Sequence, residues 1–277
     1  MTPARCELAH GGKIYAMNSP EPVFNRYVAL GDSFTEGLGD HDPDRPNGLR
    51  GWADRVAEQL AAKSKDFRYA NLAVRGKLLG QIIDEQVDQA LALGPDLVTI
   101  YGGGNDLLRP SVDIDAMVDR YDEAIGKLTA SGATVAMWTA YDAGWSAVFG
   151  KVRGRTAIYN ELVREVADRH GAVVVDFWRF DGYDDERMWD WDRLHMSTAG
   201  HQRMAVETLD ALGVGHALEA PDLGPAPELS KAERRRVNYI WTKDFVGPWI
   251  GRRLTGKSSG DTVPARRPVL EPISAEA

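Results

Sequence analysis

Residues 27–37 read Tyr-Val-Ala-Leu-Gly-Asp-Ser-Phe-Thr-Glu-Gly. The first four residues form a short apolar run typical of a buried strand, and the turn-forming residues that follow predict a sharp exit from it. A serine at such an exit, Ser33, is held by a rigid backbone and can remain exposed, while Gly31 and Gly37 allow tight turns. We therefore interpret Ser33 as a candidate nucleophile.

The rest of the chain repeats this strand signal with amphipathic segments of helical length between the strands. Alternation of this kind predicts a parallel sheet covered by helices on both faces, with ligands bound beyond the carboxyl ends of the strands. The predicted strands are 26–30, 67–72, 96–101, 134–140 and 172–177, and the predicted helices are 51–63, 78–93, 113–131, 155–170 and 198–212.

A serine hydroxyl is a poor nucleophile near neutral pH, so Ser33 would need a base within hydrogen-bond distance. Of the six histidines, His195 is the best candidate because it lies in a loop just before a predicted helix. Asp192 precedes it by three residues, a spacing at which a carboxylate can bind the far imidazole nitrogen and fix its tautomer.

Acyl transfer also needs hydrogen-bond donors directed at the oxygen on which negative charge develops. Two further loops at strand exits can supply them. Gly76 follows the strand at 67–72 and can bring a backbone N–H close to a ligand, and Asn105 follows the strand at 96–101 after three glycines.

Taken together, four short blocks resemble those of the SGNH/GDSL hydrolase family, and the similarity spans roughly residues 26–212. The blocks are Gly31-Asp32-Ser33, Asn71 followed by Gly76, Gly103-Gly104-Asn105-Asp106, and Asp192-x-x-His195.

The resemblance implies a flavodoxin-like α/β/α sandwich with a five-stranded parallel sheet. It also implies hydrolysis of esters or thioesters without a metal or other cofactor. Ser33 would be the nucleophile, His195 the general base and then acid, and Asp192 its orienting partner. The backbone N–H groups of Ser33 and Gly76 and the side chain of Asn105 would form the oxyanion hole.

Composition narrows the class of protein further. One cysteine among 277 residues excludes an internal disulfide framework, and no apolar stretch approaches the length of a membrane span, so we expect a cytoplasmic protein. The net charge of −8 combines −13 on residues 1–229 with +5 on residues 230–277, and the acidic body of the chain offers nothing to nucleic acid. The expected partner is a small-molecule ester, either an acyl lipid or an acylated sugar; the oligomeric state is left open.

Three regions are predicted: an N-terminal extension at 1–25, a hydrolase domain at 26–215, and a linker, basic helix and flexible tail at 216–277. Met17 is a candidate natural start. Within the tail, 251–258 matches the P-loop pattern and 256–260 the nucleophile-elbow pattern. Both matches lack the strand-turn-helix context that gives these motifs their chemistry, so we interpret them as accidental.

Two other functions remain compatible with the sequence. An acyltransferase would use the same residues and pass the acyl group to an alcohol or sugar instead of water. A non-catalytic α/β binding module would share the fold, but it would have no reason to place Ser33, Asn105, Asp192 and His195 at strand exits. Trp189 and Trp191 flank Asp192, and they either form the wall of a substrate pocket or are packing residues.

Overall fold

The computed structural model describes residues 21–254 and 258–274. Met17 and most of the predicted N-terminal extension lie outside these residues, as do residues 255–257, of which 256 and 257 belong to both accidental motif matches. The residues just before the P-loop match form a helix rather than the strand that a P-loop requires.

Six strands form one sheet in the order β5-β4-β3-β1-β2-β6, in which only β6 runs antiparallel to its neighbour. The strands are β1 (Arg26–Leu30), β2 (Arg68–Asn71), β3 (Leu97–Ile100), β4 (Thr134–Trp138), β5 (Val173–Val175) and β6 (Arg267–Glu271). The first five match the predicted strands and confirm the parallel α/β architecture.

Helices cover both faces of the sheet. The α-helices of the described residues are α1 (Ser33–Glu36), α2 (Gly51–Ala61), α3 (Leu79–Ile82), α4 (Asp88–Ala92), α5 (Gly104–Leu107), α6 (Ile114–Ala130), α7 (Arg153–His170), α8 (Thr198–Leu212), α9 (Lys231–Trp241) and α10 (Gly247–Leu254), of which α9 and α10 lie outside the layers that cover the sheet. A π-helical turn, Ile83–Val87, joins α3 to α4, and a second, Thr242–Val246, joins α9 to α10. The basic helix predicted within 216–277 is therefore two α-helices joined by a π-helical turn.

Strand β1 shows why the strands of this sheet appear in the sequence as nearly continuous runs of apolar residues. Val28 and Leu30 face the core under α6 and α7, whereas Tyr27 and Ala29 face the core under α2 and α8. All four are completely buried because a parallel sheet with helices on both sides has no solvent-facing surface. The apolar side of α2 lies in the second core, where Trp52 is fully buried.

The sheet has one strand more than the five predicted, and this strand comes from the segment expected to be a flexible tail. Residues 267–271 pair with β2, opposing Glu271 to Tyr69 and Arg267 to Asn71, which covers the backbone groups that β2 would expose as an edge strand. Arg266 anchors this strand through a buried ion pair with Asp54. The added strand is held by backbone pairing and this charge pair, with Leu270 packed against the first core, and these contacts produce no apolar pattern in the sequence.

In the described part of the chain, no helix has both the length and the apolar character needed to cross a membrane.

Candidate active site

Ser33 is the first residue of α1, three residues after β1 ends at Leu30. Between them Gly31 adopts φ 151°, where an added Cβ would lie 2.7 Å from the carbonyl oxygen of Tyr101. A side chain at this position would therefore force the two strand ends apart. Asp32 caps the helix by accepting a hydrogen bond from the backbone N–H of Phe34 at 3.0 Å.

A buried glutamine holds this exit in place. The backbone N–H of Gly31 donates to Oε1 of Gln86 at 2.8 Å, and Nε2 of Gln86 donates to the carbonyl of Gly31 at 2.9 Å. Gln86 lies in the π-helical turn Ile83–Val87. Sequence reasoning missed this residue, because the sequence of 78–93 indicates only a regular helix.

His195 and Asp192 lie beside Ser33, as the motif predicts. Nε2 of His195 is 3.0 Å from Oγ of Ser33, and Nδ1 of His195 is 2.5 Å from Oδ2 of Asp192. Since a carboxylate only accepts hydrogen bonds, Nδ1 carries the proton and Nε2 is free to accept one from the serine. The three side chains thus form one continuous hydrogen-bonded chain.

The Asp192 carboxylate is held ionised by its own turn. Its Oδ1 accepts hydrogen bonds from the backbone N–H groups of Leu194 and His195, each at 2.9 Å. Burial would raise the pKa of Asp192, but the His195 ring and these backbone donors keep it below its ordinary value. The carboxylate can therefore stabilise a positive charge on the imidazole.

Another buried histidine, His201, is arranged for a structural role. Its Nδ1 accepts from the backbone N–H of Trp52 at 3.2 Å, and its Nε2 donates to the carbonyl of Leu38 at 3.1 Å. Burial lowers the pKa of His201 to about 4, so the ring is neutral and both nitrogens are committed to the backbone. It joins α8 to the loop after Ser33.

The loops after β1, β2 and β3 converge at Asn105, which lies in α5. Its Nδ2 donates to Oδ2 of Asp32 at 3.0 Å and to the carbonyl of Lys77 at 3.1 Å. Gly76, which precedes Lys77, has φ 76°, and among the described residues its backbone N–H has no acceptor. The structure thus places the loop of Gly76 against Asn105, although Gly76 does not line the cavity described below.

An ion pair that the sequence analysis missed holds the Gly76 loop. Glu36 is completely buried, and its carboxylate accepts from the backbone N–H of Arg75 at 2.7 Å and from the Arg75 guanidinium. Gly76 is also covered from the C-terminal segment, since an added Cβ would lie 2.1 Å from Oγ of Ser258.

Asp32 is an unusual carboxyl group. It is 3% exposed, and burial raises its pKa to about 7, although the backbone N–H of Phe34 and the nearby His195 act to lower it. Its contact with Asn105 means that the charge of Asp32 influences how firmly the amide is held. Such a shift is the kind of perturbation that accompanies functional sites.

Because the pKa of Asp32 is raised in the folded protein, we predict that the protein becomes less stable as the pH rises. The pKa of this carboxyl is higher in the folded protein than the ordinary value near 4, so the folded state binds the extra proton between these two values. This stabilisation is complete below about pH 4 and is lost as the pH passes through about 7. We expect Tm to fall between pH 5 and pH 8.5, and to fall less steeply in Asp32→Asn. Equal slopes in thermal unfolding of the two proteins would contradict the assignment.

A cavity of about 150 Å³ opens above Ser33 and His195. Asn105 and Asp32 lie at its floor, and most of the remaining wall is apolar. Trp189 lines this cavity, whereas Trp191 does not and is 61% exposed, so only the first of the two tryptophans is part of the pocket wall. The aromatic residues of the wall are Phe34, Tyr101, Tyr141, Trp145, Phe149, Phe177 and Trp189.

Comparison with solved structures identifies the same fold in several hydrolases. The metagenomic enzyme LAE5 from Lake Arreo, Spain, is 24% identical with a TM-score of 0.57, covering 68% of this chain and 95% of that one. The acetylxylan esterase Axe2 from Geobacillus stearothermophilus is 20% identical (TM-score 0.57; 69% and 95%). A lipase/acylhydrolase from Enterococcus faecalis is 19% identical (TM-score 0.55; 68% and 95%). At these identities the similarity establishes the fold.

The sequence itself matches the model of a protein family. No curated protein shows significant similarity to the chain. The model of the GDSL-like lipase/acylhydrolase family, however, matches residues 29–203, which include every block on which the resemblance rested. With that match spanning more than half of the chain and the fold in agreement, the chain belongs to the GDSL-like lipase/acylhydrolase family.

Proposed function

We propose that the protein is a serine hydrolase that cleaves carboxylic esters through an acyl-serine intermediate, with Ser33, His195 and Asp192 as its catalytic triad. Family membership and fold support ester hydrolysis in general. The observation that carries the finer assignment is the hydrogen-bonded chain from Asp192 through His195 to Ser33, with distances of 2.5 and 3.0 Å, beneath an open cavity.

In the first half of the reaction, Oγ of Ser33 attacks the acyl carbon while Nε2 of His195 takes its proton. The tetrahedral intermediate collapses, the bond to the leaving alcohol breaks, and His195 returns the proton to that alcohol. In the second half, His195 takes a proton from water, the resulting hydroxide adds to the acyl-serine, and Ser33 regains its proton as the acid leaves. Asp192 stabilises the imidazolium in both halves.

The negative charge of each intermediate needs preorganised donors, and we assign these to the backbone N–H groups of Ser33 and Gly76 and to Nδ2 of Asn105. Among the described residues, neither backbone N–H has an acceptor. The two N–H bonds of Asn105 Nδ2 are directed at Asp32 and at the carbonyl of Lys77, so one of them must leave its acceptor to bind the oxyanion. The two backbone N–H groups are the donors that are free in advance, and such preorganisation makes an oxyanion site effective.

Substitution of Asn105 by Ala tests this site. We expect kcat to fall by about 10²–10³, the usual loss for one oxyanion donor, with a small change in KM. Steady-state hydrolysis of a short p-nitrophenyl ester gives both constants, and Tm shows whether the loop is intact. An Asn105→Ala protein that keeps its fold and most of its kcat would remove Asn105 from the oxyanion hole.

The cavity favours a modest acyl group. Its apolar, aromatic wall suits a hydrocarbon or acetyl moiety, and one of its arginines, Arg153, is already paired with Asp142 at 2.7 Å. Acetylxylan esterase, one of the structural neighbours, acts on an acetylated sugar polymer. We therefore propose a small acyl ester, with the alcohol portion unassigned.

A fluorophosphonate probe tests the proposed nucleophile directly. We expect it to phosphonylate Ser33, with mass spectrometry locating the adduct on the peptide containing residue 33 and with loss of esterase activity in parallel. Labelling at another residue, or no labelling of a protein that hydrolyses the ester, would overturn the site. Assays with and without an added alcohol distinguish hydrolysis from acyl transfer, because transfer produces a new ester.

A further inference from the structure

A helical segment outside the family match lies against the turn that carries Asp192 and His195. It consists of α9, the π-helical turn Thr242–Val246 and α10. The family model ends at residue 203, so this segment is not part of the machinery that the model describes. Its contacts with the turn are nevertheless specific and involve side chains on one face of the helix.

The central contact is a hydrogen bond from Trp241. Its indole Nε1 donates to the backbone carbonyl of Asp192 at 2.7 Å, across 49 residues of sequence. The carboxylate of the same residue binds the turn from within, through the backbone N–H groups of Leu194 and His195. Trp241 is the one donor to this carbonyl among the described residues, so the peptide of Asp192 is held from both sides.

The adjacent Arg193 adds a second attachment. Its backbone adopts φ 57°, a left-handed conformation that costs a non-glycine residue about 1 kcal/mol or more and persists only when the surroundings impose it. The guanidinium Nη1 donates to Oδ1 of Asn238 at 2.9 Å, and Cζ lies 5.0 Å from the ring centroid of Trp241. The helix therefore holds the strained residue that follows Asp192 in the turn to His195.

A row of aromatic rings keeps the helix in this position. Phe245 is buried and stacks between Trp241 and Trp249, with centroid distances of 6.3 and 6.5 Å. Trp191 meets Phe245 edge-on at 6.1 Å, and Trp249 meets Phe149, a residue of the cavity wall, at 6.0 Å. The helical segment thus contacts both the catalytic turn, residues 192–195, and the cavity above Ser33.

The π-helical turn explains why these rings share one face. In a regular α-helix, residues four apart are rotated by about 40° relative to each other, so Trp241 and Trp249 would diverge. The wider turn at Thr242–Val246 offsets part of that rotation. The local irregularity of the helix therefore serves its contact with the turn.

From these contacts we infer that Trp241 is a positioning residue for the catalytic turn, and that the C-terminal helix keeps Asp192 and His195 in register with Ser33. The inference rests on the proposed function. Since a misplacement of about 1 Å can reduce a rate by about 10², a hydrogen bond that fixes the peptide between the acid and the base can affect kcat without touching substrate.

Trp241→Phe tests the inference, because it removes the indole N–H and keeps an aromatic ring against Arg193 and Phe245. We expect kcat for a short p-nitrophenyl ester to fall about tenfold, with KM within about twofold of the unsubstituted protein. The rate of fluorophosphonate labelling at Ser33 should fall by the same factor. A purely structural loss would instead lower Tm and the active fraction, leaving the labelling rate of each active molecule unchanged.

Tyr239→Phe provides the matched control, since Tyr239 lies on the same helix and is 68% exposed. It should leave kcat and labelling unchanged. Trp241→Phe with the labelling rate and kcat of this control would overturn the inference while leaving the proposed function intact. Absence of labelling at Ser33 in the unsubstituted protein would overturn the proposed function, and this inference with it.

Asn238→Ala provides an independent variant if Trp241→Phe unfolds at the assay temperature. It removes the acceptor for Arg193 without changing the tryptophan. We expect a several-fold loss of kcat and an unchanged KM. Unchanged kcat in a folded Asn238→Ala protein together with unfolded Trp241→Phe would assign the helix a role in stability alone and overturn the inference.

Discussion

Replacing Ser33 by Ala is expected to lower kcat for a short p-nitrophenyl ester by about 10⁶, leaving only the residual rate that binding and an oxyanion site sustain. The loss is large because the acyl-serine cannot form. Removal of the hydroxyl leaves Asp192 and His195 bonded to each other, so the fold should be intact. Initial rates of p-nitrophenol release, measured at high enzyme concentration, would detect the residual activity.

Ser131→Ala is a suitable control for this substitution, since Ser131 caps the C-terminal end of α6 and has no contact with the site residues. Its kcat should equal that of the unsubstituted protein. A folded Ser33→Ala protein that retains even a tenth of the activity would show that Ser33 is not the nucleophile, whatever the behaviour of the other variants.

Replacing Asp192 by Asn is expected to lower kcat by about 10⁴. An amide in place of the carboxylate can present its NH₂ group to Nδ1 of His195, which then must accept rather than donate. The ring would carry its proton on Nε2 and could no longer accept one from Ser33. The imidazolium would also lose the negative charge that stabilises it.

Asp190→Asn is the matched control, because Asp190 belongs to the same turn but its side chain contacts no group of the site. It should retain full activity. Measurement of kcat against pH separates the two variants further, since only Asp192→Asn alters the group bonded to His195. Similar losses in both variants would indicate a disturbed turn rather than a lost charge.

The fold was largely predictable because its core strands are buried on both faces. Burial of that kind demands nearly continuous apolar residues, and Tyr27-Val28-Ala29-Leu30 shows this directly. Strand β6 could not be found in the same way. Its pairing with β2 depends on backbone hydrogen bonds and on the buried contact of Arg266 with Asp54, which leave no periodic signal.

The two π-helical turns were also invisible to periodicity. Each inserts one residue into a sequence that otherwise has the pattern of a regular helix. Each also carries a side chain that contacts the site or a residue next to it. Gln86 forms two hydrogen bonds with the backbone of Gly31, and Phe245 stacks on Trp241 in the row of aromatic rings. The roles of these two side chains depend on contacts that form only in the folded protein, so the local sequence does not reveal them.

By itself, the sequence determined the parallel α/β architecture, the strand exit at Ser33 and the turn that joins Asp192 to His195. These features are local, because strand burial, glycine conformation and a three-residue spacing all act over short stretches of chain. The tertiary structure alone decided that Gln86 binds the backbone of Gly31 and that the indole of Trp241 donates to the carbonyl of Asp192. It also decided that Asp32 holds its proton to about pH 7. Contacts and desolvation of this kind arise only when distant segments pack together and exclude water.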